Sequence, residues 1–278
     1  MIDEIQPHSP RAGHPERILS SERDAGYRDL LSYIVSNAVA GEIMAVENYS
    51  QMVHLVPDVA GKIETVDQCR EECKHIRLLT KLGKSLDFKV QQRIVEPQWN
   101  AIRGHFSDAV ARGDLIACLI IQDLMTESMA ILLYRTLAGE ADTDPQTAAV
   151  AQNILADEMV HLEMGTRRIK AALIEDPDAV HDALIWAHHR VMPELFGMVS
   201  TSCHFLCGEL GVDCGSLRLS AIATDIEVLR ARALDRYIES LDTIGFAPQV
   251  VNRLITSMTA LGGLGALKVG VGTARPSV

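Results

Sequence analysis

Two Glu-x-x-His motifs, each following a further glutamate at nearly the same distance, constrain the fold of this chain more than any other feature. They are Glu72 with His75 and Glu158 with His161. Both motifs lie in segments with helical periodicity, where positions i and i+3 are about 60° apart on one helix face. Glu42 precedes Glu72 by 30 residues, and Glu127 precedes Glu158 by 31 residues. The pattern predicts that four helices bring these side chains together.

Two inward glutamates and two Glu-x-x-His pairs are the ligand set of ferritin-like dinuclear carboxylate proteins. A single pair would more often lie on a solvated face, but two pairs with matched upstream glutamates are hard to obtain by chance. Hydrophobic residues make up 47% of the chain and aromatic residues only 4%, which favours helices over sheets. We therefore predict an all-α fold, a ferritin-like helical bundle expanded with extra helices around a dinuclear metal centre.

The helical pattern predicts one domain over residues 25–262, with a flexible arm at 1–24 and a mobile tail at 263–278. Asp58 is expected to be the N-cap of the second helix and Gly83 its C-terminal residue. Further helices are expected near 87–112 and 113–138. A fifth helix is expected after the turn Gly139–Pro145, followed by helices near 178–208, 216–242 and 247–261.

The charge balance and the N-terminal sequence exclude several classes of protein. The net charge is −11 with no run of basic residues, which argues against a nucleic-acid partner. Residues 1–28 contain no apolar core, so we expect no signal peptide. The longest apolar stretch, Leu115–Met125, is interrupted by Gln122 and Asp123 and is too short to span a bilayer. The sequence predicts a cytoplasmic protein without stable membrane insertion.

Buried carboxylates and imidazoles need partners, because an unpaired buried charge costs several kcal/mol. Pairing with Lys or Arg is one possibility, but Lys74, Arg77, Arg135 and Arg167 fall off the inner helix faces. Two divalent metals would neutralise four carboxylates. Oxygen and nitrogen ligands with open positions suit two iron ions, with manganese possible. The predicted ligands are Glu42, Glu72, His75, Glu127, Glu158 and His161.

Other polar residues near the motifs are expected to surround these ligands. Asp157 could accept the second imidazole N–H of either histidine, and Glu71 holds the matching place in the first repeat. Tyr49 and Tyr134 lie two turns from Glu42 and Glu127 on the same helix faces. The predicted surrounding set is Asp157, Glu71, Tyr49, Gln122 and Tyr134.

The extra C-terminal helices and the apolar inner faces favour an enclosed substrate cavity over iron storage or radical generation, the other uses of this ligand set. The predicted cavity residues are Ile120, Thr126, Ala130, Ile131, Ile154 and Asp123. Asp123 lies one helical turn before Glu127 and faces the same interior. It either reaches a helix end or a neighbouring arginine, or it lines the cavity and contacts a polar end of the substrate.

Several segments resemble the cyanobacterial aldehyde-deformylating oxygenases, and the similarity runs from about Tyr27 to Leu261. The segments that carry it are Ala40–Glu42, Glu47–Tyr49, Glu72–His75, Asp114–Gln122, Asp157–Leu162 and Tyr237–Phe246. The chain differs from the family after Tyr134, in the segment 201–219, and beside Glu127, where Asp123 and Thr126 replace aliphatic or small residues.

The resemblance implies a di-iron, O2-dependent oxygenase that deformylates a fatty aldehyde to a hydrocarbon and formate. It also implies a hydrophobic substrate channel and an external electron donor, either ferredoxin-type or another reductase. Carried over by position, the family's metal ligands are the same six residues. Two alternatives remain: a related oxygenase acting on a more polar substrate, by amine N-oxygenation or C-hydroxylation, and a non-enzymatic iron-binding protein.

Overall fold

The computed structural model describes residues 21–90, 96–139, 143–204 and 226–260. All regular elements in these ranges are helices, which confirms the all-α prediction. They are α1 (Ser21–Met52), α2 (Val59–Ser85), α3 (Glu96–Ala111), α4 (Leu115–Leu119), a π-helical segment (Ile120–Thr126), α5 (Glu127–Gly139), α6 (Pro145–Glu175), α7 (Pro177–His204), α8 (Ile226–Ile244) and α9 (Pro248–Ala260).

Four helices carry the predicted ligands and pack around a common interior. Helix α1 packs on α2, α5 packs on α6, and α2 contacts α6 across the bundle. Helix α7 packs against α3, α4 and α6, and α8 covers α5 and α6. The later helices therefore expand the bundle, as the sequence predicts.

Aspartate side chains cap the N-termini of α2, α4 and α6. The Asp58 side chain accepts a hydrogen bond from the Gly61 N–H, which confirms the predicted N-cap of α2. Asp114 caps α4 and Asp144 caps α6 in the same way. Each cap satisfies backbone N–H groups that have no partner inside the helix. These caps fix where the chain turns between the helices that carry the metal ligands.

The predicted end of α2 at Gly83 is wrong, and so is the predicted start of the next helix near residue 87. Helix α2 continues to Ser85, and Asp87 adopts a positive φ of 57°. Residues 88–90 are not helical, so the predicted helix does not start near residue 87, and α3 is described from Glu96 onward. A Cβ on Gly83 would lie 3.2 Å from the Phe88 ring, so this glycine permits close packing.

The predicted N-terminal arm and C-terminal tail lie largely outside the described residues. Helix α1 begins at Ser21 and α9 ends at Ala260. The part of the predicted helix 216–242 before residue 226 also lies outside them. The domain boundaries stay a prediction.

The helix predicted over 113–138 contains a π-helical segment that sequence periodicity did not reveal. In a π-helix the residues at i and i+5 are joined, rather than those at i and i+4. The Thr126 hydroxyl donates to the Ile121 carbonyl at 2.8 Å, and the Gln122 amide donates to Glu127 at 2.9 Å. Five residues of α-helix would turn these side chains about 140° apart. The π-segment therefore places Gln122 beside a predicted metal ligand.

Helix α6 approaches the π-segment closely at Gly165. A Cβ on Gly165 would lie 2.2 Å from the Asp123 Cβ, so a larger residue would displace the π-segment. Glycine is required here by close packing.

The apolar stretch Leu115–Gly139 is long and apolar enough to cross a membrane by length and composition. However, 72% of its most apolar window is buried inside the protein. Burial of this degree is typical of the central helix of a bundle, because its neighbours enclose it on most sides.

A buried histidine joins the three last helices. His188 on α7 donates from Nε2 to the Leu254 carbonyl at 3.2 Å, and its Nδ1 accepts from the Tyr237 hydroxyl at 3.1 Å. This pattern requires the neutral imidazole. Burial, assisted by His189, lowers the pKa of His188 to about 4.

We predict that His188 makes the protein acid-sensitive below its ordinary pKa of 6.5. Between pH 6.5 and about 4, the unfolded chain takes up a proton that the folded chain does not. The free energy of unfolding therefore decreases as the pH is lowered through this range. Replacing His188 with Gln should reduce this loss by up to about 3 kcal/mol, as measured by urea unfolding across this pH range. The exposed His54→Gln variant should keep the wild-type pH dependence, and an unchanged slope in His188→Gln would contradict the assignment.

We predict that Gly165→Ala destabilises the protein by about 1–3 kcal/mol, because the added methyl group overpacks the contact with Asp123. Gly104 on α3 is the matched control, since a Cβ there meets nothing within 4 Å. Gly104→Ala should leave stability unchanged or raise it by up to about 1 kcal/mol. Equal thermal unfolding midpoints for the two variants would show that the contact between Gly165 and Asp123 does not limit the size of the residue at position 165.

Candidate dinuclear metal centre

The six predicted ligands converge in the interior of the four-helix core. Their side chains are all buried, and the most exposed, that of Glu42, is only 6% accessible. Helix α1 contributes one glutamate, α2 a Glu–His pair, α5 one glutamate and α6 a Glu–His pair. The i, i+3 spacing of each pair directs both of its side chains inward.

The ligands form two groups of four that share Glu72 and Glu158. One group adds Glu42 and His75, and the other adds Glu127 and His161. Within each group, one potential ligand atom from every residue lies within 4.8 Å of the others. A cation in each group would therefore have its own glutamate and histidine, while the two shared carboxylates could bridge the cations.

Each histidine directs Nδ1 into the centre. The Nδ1 atom of His75 lies 3.1 Å from a Glu72 oxygen and 3.2 Å from a Glu158 oxygen. The Nδ1 atom of His161 lies 3.2 Å from Glu72 and 3.4 Å from Glu158. Nδ1 is therefore the nitrogen available to a metal in both cases.

Unpaired buried atoms indicate that this set of residues fits a pair of cations. Glu72 Oε1, both carboxylate oxygens of Glu158 and His161 Nδ1 are buried and form no well-aligned hydrogen bond among the described residues, although imidazole nitrogens lie 3.2–3.4 Å from these oxygens. Such atoms are rare in folded proteins and call for an explanation such as an ion. Their acceptor chemistry, together with the bridged geometry, matches two divalent metals.

The electrostatics of the centre point in the same direction. Burial and the charges of Glu42 and Glu127 raise the pKa of Glu72 to about 8. Burial and the neighbouring Glu158 hold the pKa of Glu127 well above its ordinary value. Four carboxylates this close cannot all ionise without positive charge beside them.

Positive charge in the metal-free centre comes from the histidines. Burial alone would lower the pKa of His161, but Glu158 and Glu72 raise it to about 12. The pKa of His75 is also raised, by the carboxylates that outweigh its burial. Among the described residues, no lysine or arginine pairs with the four ligand carboxylates, so the salt-bridge alternative lacks the cations it needs.

Carboxylates outside the centre hold the histidines in a crosswise arrangement. Asp157, which precedes the α6 motif, lies 3.1 Å from Nε2 of His75 on α2. Glu71, which precedes the α2 motif, lies 2.7 Å from Nε2 of His161 on α6. Lys74 donates to the same Asp157 oxygen at 2.7 Å. Each Nε2–H donates outward, which fixes the ring and leaves Nδ1 for a metal.

The two predicted tyrosines and Gln122 contact the ligand carboxylates directly. Tyr134 donates a short hydrogen bond to Glu42. The Tyr49 hydroxyl lies 3.0 Å from Glu127, and Gln122 donates to the same Glu127 oxygen at 2.9 Å. These bonds restrict the rotation of the two unshared glutamates.

Three further residues complete this network, and sequence reasoning did not assign them to it. The Asn48 amide donates to Gln122 at 2.8 Å, and the Gln68 amide donates to Tyr49 at 3.2 Å. Arg168 reaches Gln68 at 3.5 Å from the opposite helix. Gln68 lies one turn before Glu72 on the buried face of α2, so a polar residue on an inner stripe was the available signal.

Asp123 is fully buried and lies between Tyr49 and Arg168. One oxygen of Asp123 lies 3.0 Å from the Tyr49 hydroxyl, and its other oxygen is 3.8 Å from the Arg168 guanidinium. Burial raises the pKa of Asp123 to about 7, against the opposing charge of Arg168. The alternative in which Asp123 faces a neighbouring arginine agrees with this geometry.

The other predicted cavity residues mostly belong to the apolar core. Ile120, Ile131 and Ile154 are fully buried, and Ala130 packs against the core in a half-buried position. The Thr126 hydroxyl donates a hydrogen bond to the Ile121 carbonyl of its own π-turn. Ile131 also lines a cavity of about 380 Å³ between α5 and α8. Their role as the substrate cavity stays a prediction.

The sequence profile of the family described as long-chain fatty aldehyde decarbonylase matches residues 24–261. The chain belongs to this family. The match spans every helix that carries a predicted ligand, and it confirms the family and the enzyme class predicted from the sequence.

The fold of this decarbonylase family member is also found in a solved structure. A Synechococcus protein described as having aldehyde deformylating oxidase activity superposes with a TM-score of 0.70 at 20% sequence identity. The alignment covers 84% of this chain and 98% of that chain. At this level of identity the likeness shows a shared fold, and it confirms the predicted architecture.

We predict that the protein binds two metal ions per chain. Replacing a shared ligand should remove more metal than replacing an unshared ligand. Glu158→Ala removes a ligand from both groups and should abolish binding at both, whereas Glu127→Ala should leave one ion bound. Iron loading followed by desalting and metal analysis measures this. Glu163→Ala, an exposed change on the same helix, should keep two ions. Retention of one ion by Glu158→Ala would contradict the sharing of this carboxylate.

Proposed function

We propose that this protein is a non-haem di-iron oxygenase that deformylates a long-chain fatty aldehyde to a hydrocarbon one carbon shorter and formate, using O2. The observation that carries the proposal is the pair of four-residue groups sharing Glu72 and Glu158 in a member of the fatty aldehyde decarbonylase family. Iron held by the six ligands would supply the one-electron chemistry that O2 reduction requires.

The chain itself contributes a rigid ligand set. Tyr134 restrains Glu42, while Tyr49 and Gln122 restrain Glu127. The two imidazoles are restrained from outside by carboxylates. Ligands that are fixed in advance lose little freedom when metal binds, and they hold the reacting groups in one geometry.

The surroundings of the centre favour an apolar substrate. Ile120, Ile131 and Ile154 are fully buried on the helices that supply ligands. Asp123, the acidic residue best placed to recognise a polar substrate, already faces Tyr49 and Arg168. Apolar walls exclude water from the reacting aldehyde and match the chain of a fatty substrate.

The reaction requires electrons from outside the substrate. Cleaving an aldehyde into an alkane and formate is redox-neutral overall, so every electron that reduces O2 must come from a donor. We infer that a ferredoxin-type protein or another reductase supplies these electrons.

We predict that the iron-loaded protein, supplied with O2 and a reducing system, converts medium- and long-chain aldehydes to hydrocarbon and formate in equal amounts. Gas chromatography of the hydrocarbon and an enzymatic formate assay measure the two products. Glu158→Ala should lose at least 99% of the activity, while Glu163→Ala should retain it.

Absence of both products from protein that carries two iron ions would contradict the proposed reaction. The metal analysis makes this outcome distinct from a failure to load the centre. Formation of formate without hydrocarbon would indicate a different cleavage of the same substrate class.

A further inference from the structure

The exposed face of α2 carries a line of five basic residues. They are Arg70, Lys74, Arg77, Lys81 and Lys84, and all five are exposed. Their spacing of four, three, four and three residues keeps them within an arc of about 80°, and the line is about 21 Å long at 1.5 Å per residue. We call these five residues the basic stripe.

The basic stripe contrasts with the rest of a chain whose net charge is −11. No acidic residue occurs in the sequence between Glu72 and Asp87. Arg70 pairs with Asp67 at 3.4 Å within its own helix. Within the ranges that the structure describes, Arg77, Lys81 and Lys84 form no ion pair. The second half of the basic stripe therefore presents uncompensated positive charge to the solvent.

The basic stripe is connected to the metal centre through its second residue. Lys74 donates to Asp157 Oδ2 at 2.7 Å, and the same oxygen lies 3.1 Å from Nε2 of His75. The other nitrogen of His75 faces the ligand carboxylates. One carboxylate therefore separates an exposed lysine from a predicted metal ligand.

We propose that the basic stripe is the docking surface for an acidic one-electron donor protein, which delivers electrons through the Asp157–His75 contact. This inference rests on the proposed function, because only an O2-reducing centre needs such a donor. Electron-transfer complexes have small interfaces, are short-lived, and form under the guidance of complementary charge. A narrow line of positive charge on one helix meets these requirements. An extended polyanion such as nucleic acid would meet the excess negative charge beyond the basic stripe.

The electron balance of each encounter is simple. The reduced donor would lose one electron and dissociate in its oxidised form, and a ferric ion held by the six predicted ligands would accept that electron. Repeated encounters supply further electrons. Docking over His75 shortens the route, because the electron enters beside a ligand instead of crossing the apolar core.

The experiment compares two charge-matched triple variants of the iron-loaded protein. The stripe variant is Arg77→Glu/Lys81→Glu/Lys84→Glu. The control variant reverses three exposed basic residues on other helices, Lys170→Glu/Arg232→Glu/Arg253→Glu. Both have the same net charge, so a general repulsion of an acidic donor affects them equally.

The first measurement is donor binding, with a plant-type [2Fe–2S] ferredoxin as the probe and calorimetry at about 50 mM ionic strength. We expect Kd to be at least tenfold higher for the stripe variant than for the control. The milder Lys81→Gln/Lys84→Gln variant should show the same direction of change, which keeps the test decisive if the triple reversal perturbs the end of α2. Binding does not depend on aldehyde turnover, so this result stands apart from the proposed reaction.

The second measurement is anaerobic reduction of the ferric centre, followed by absorbance after mixing. At subsaturating ferredoxin, reduction of the stripe variant should be at least tenfold slower than that of the control. Both should react with dithionite at the same rate. Higher ionic strength should slow the wild type towards the stripe variant, because salt screens the attraction.

Three outcomes would overturn the proposal. Equal ferredoxin affinity in the two triple variants would show that the basic stripe does not bind the donor. An equal slowing with dithionite and ferredoxin would assign it a structural role. Loss of binding to anionic lipid vesicles, with ferredoxin reduction unchanged, would identify a membrane surface as its partner.

Discussion

The repulsion among four buried carboxylates is the interaction on which the rest of the structure depends. Glu42, Glu72, Glu127 and Glu158 lie in a space that water barely reaches, and the raised pKa values of Glu72 and Glu127 express the cost. Two divalent cations would remove that cost and satisfy these buried oxygens at the same time. We therefore propose that metal completes the folded interior of the bundle, so that binding energy at the centre would be partly folding energy.

Secondary structure around the centre is adapted to hold this arrangement. The π-segment turns Gln122 towards Glu127, and Gly165 allows α6 to approach that segment. Outside the centre, Asp157 on α6 contacts His75 of the α2 motif, and Glu71 on α2 contacts His161 of the α6 motif. The histidine of each motif is therefore held by the residue that precedes the opposite motif. The same outer contacts lead to the protein surface, where the basic stripe begins.

The sequence was sufficient for the fold and for the convergence of the six ligands, because helical spacing alone decides which side chains share a face. It was insufficient where local geometry departs from the α-helix. The π-segment cannot be seen in a 3.6-residue period, and Gly83 was misread as a helix end because its role is contact with Phe88. The environment of Asp123 could not be decided from the sequence, because the arginine that it faces, Arg168, lies on another helix. The basic stripe contains no consecutive basic residues, because its members are neighbours only on the surface of the helix.

Anomalous X-ray diffraction from crystals of the iron-loaded protein tests the central claim most directly. The account predicts two iron peaks between α1, α2, α5 and α6, separated by about 3.5–4 Å, as in other two-metal sites. Glu72 and Glu158 should each contact both ions. A single peak, or two ions without a shared carboxylate, would contradict it.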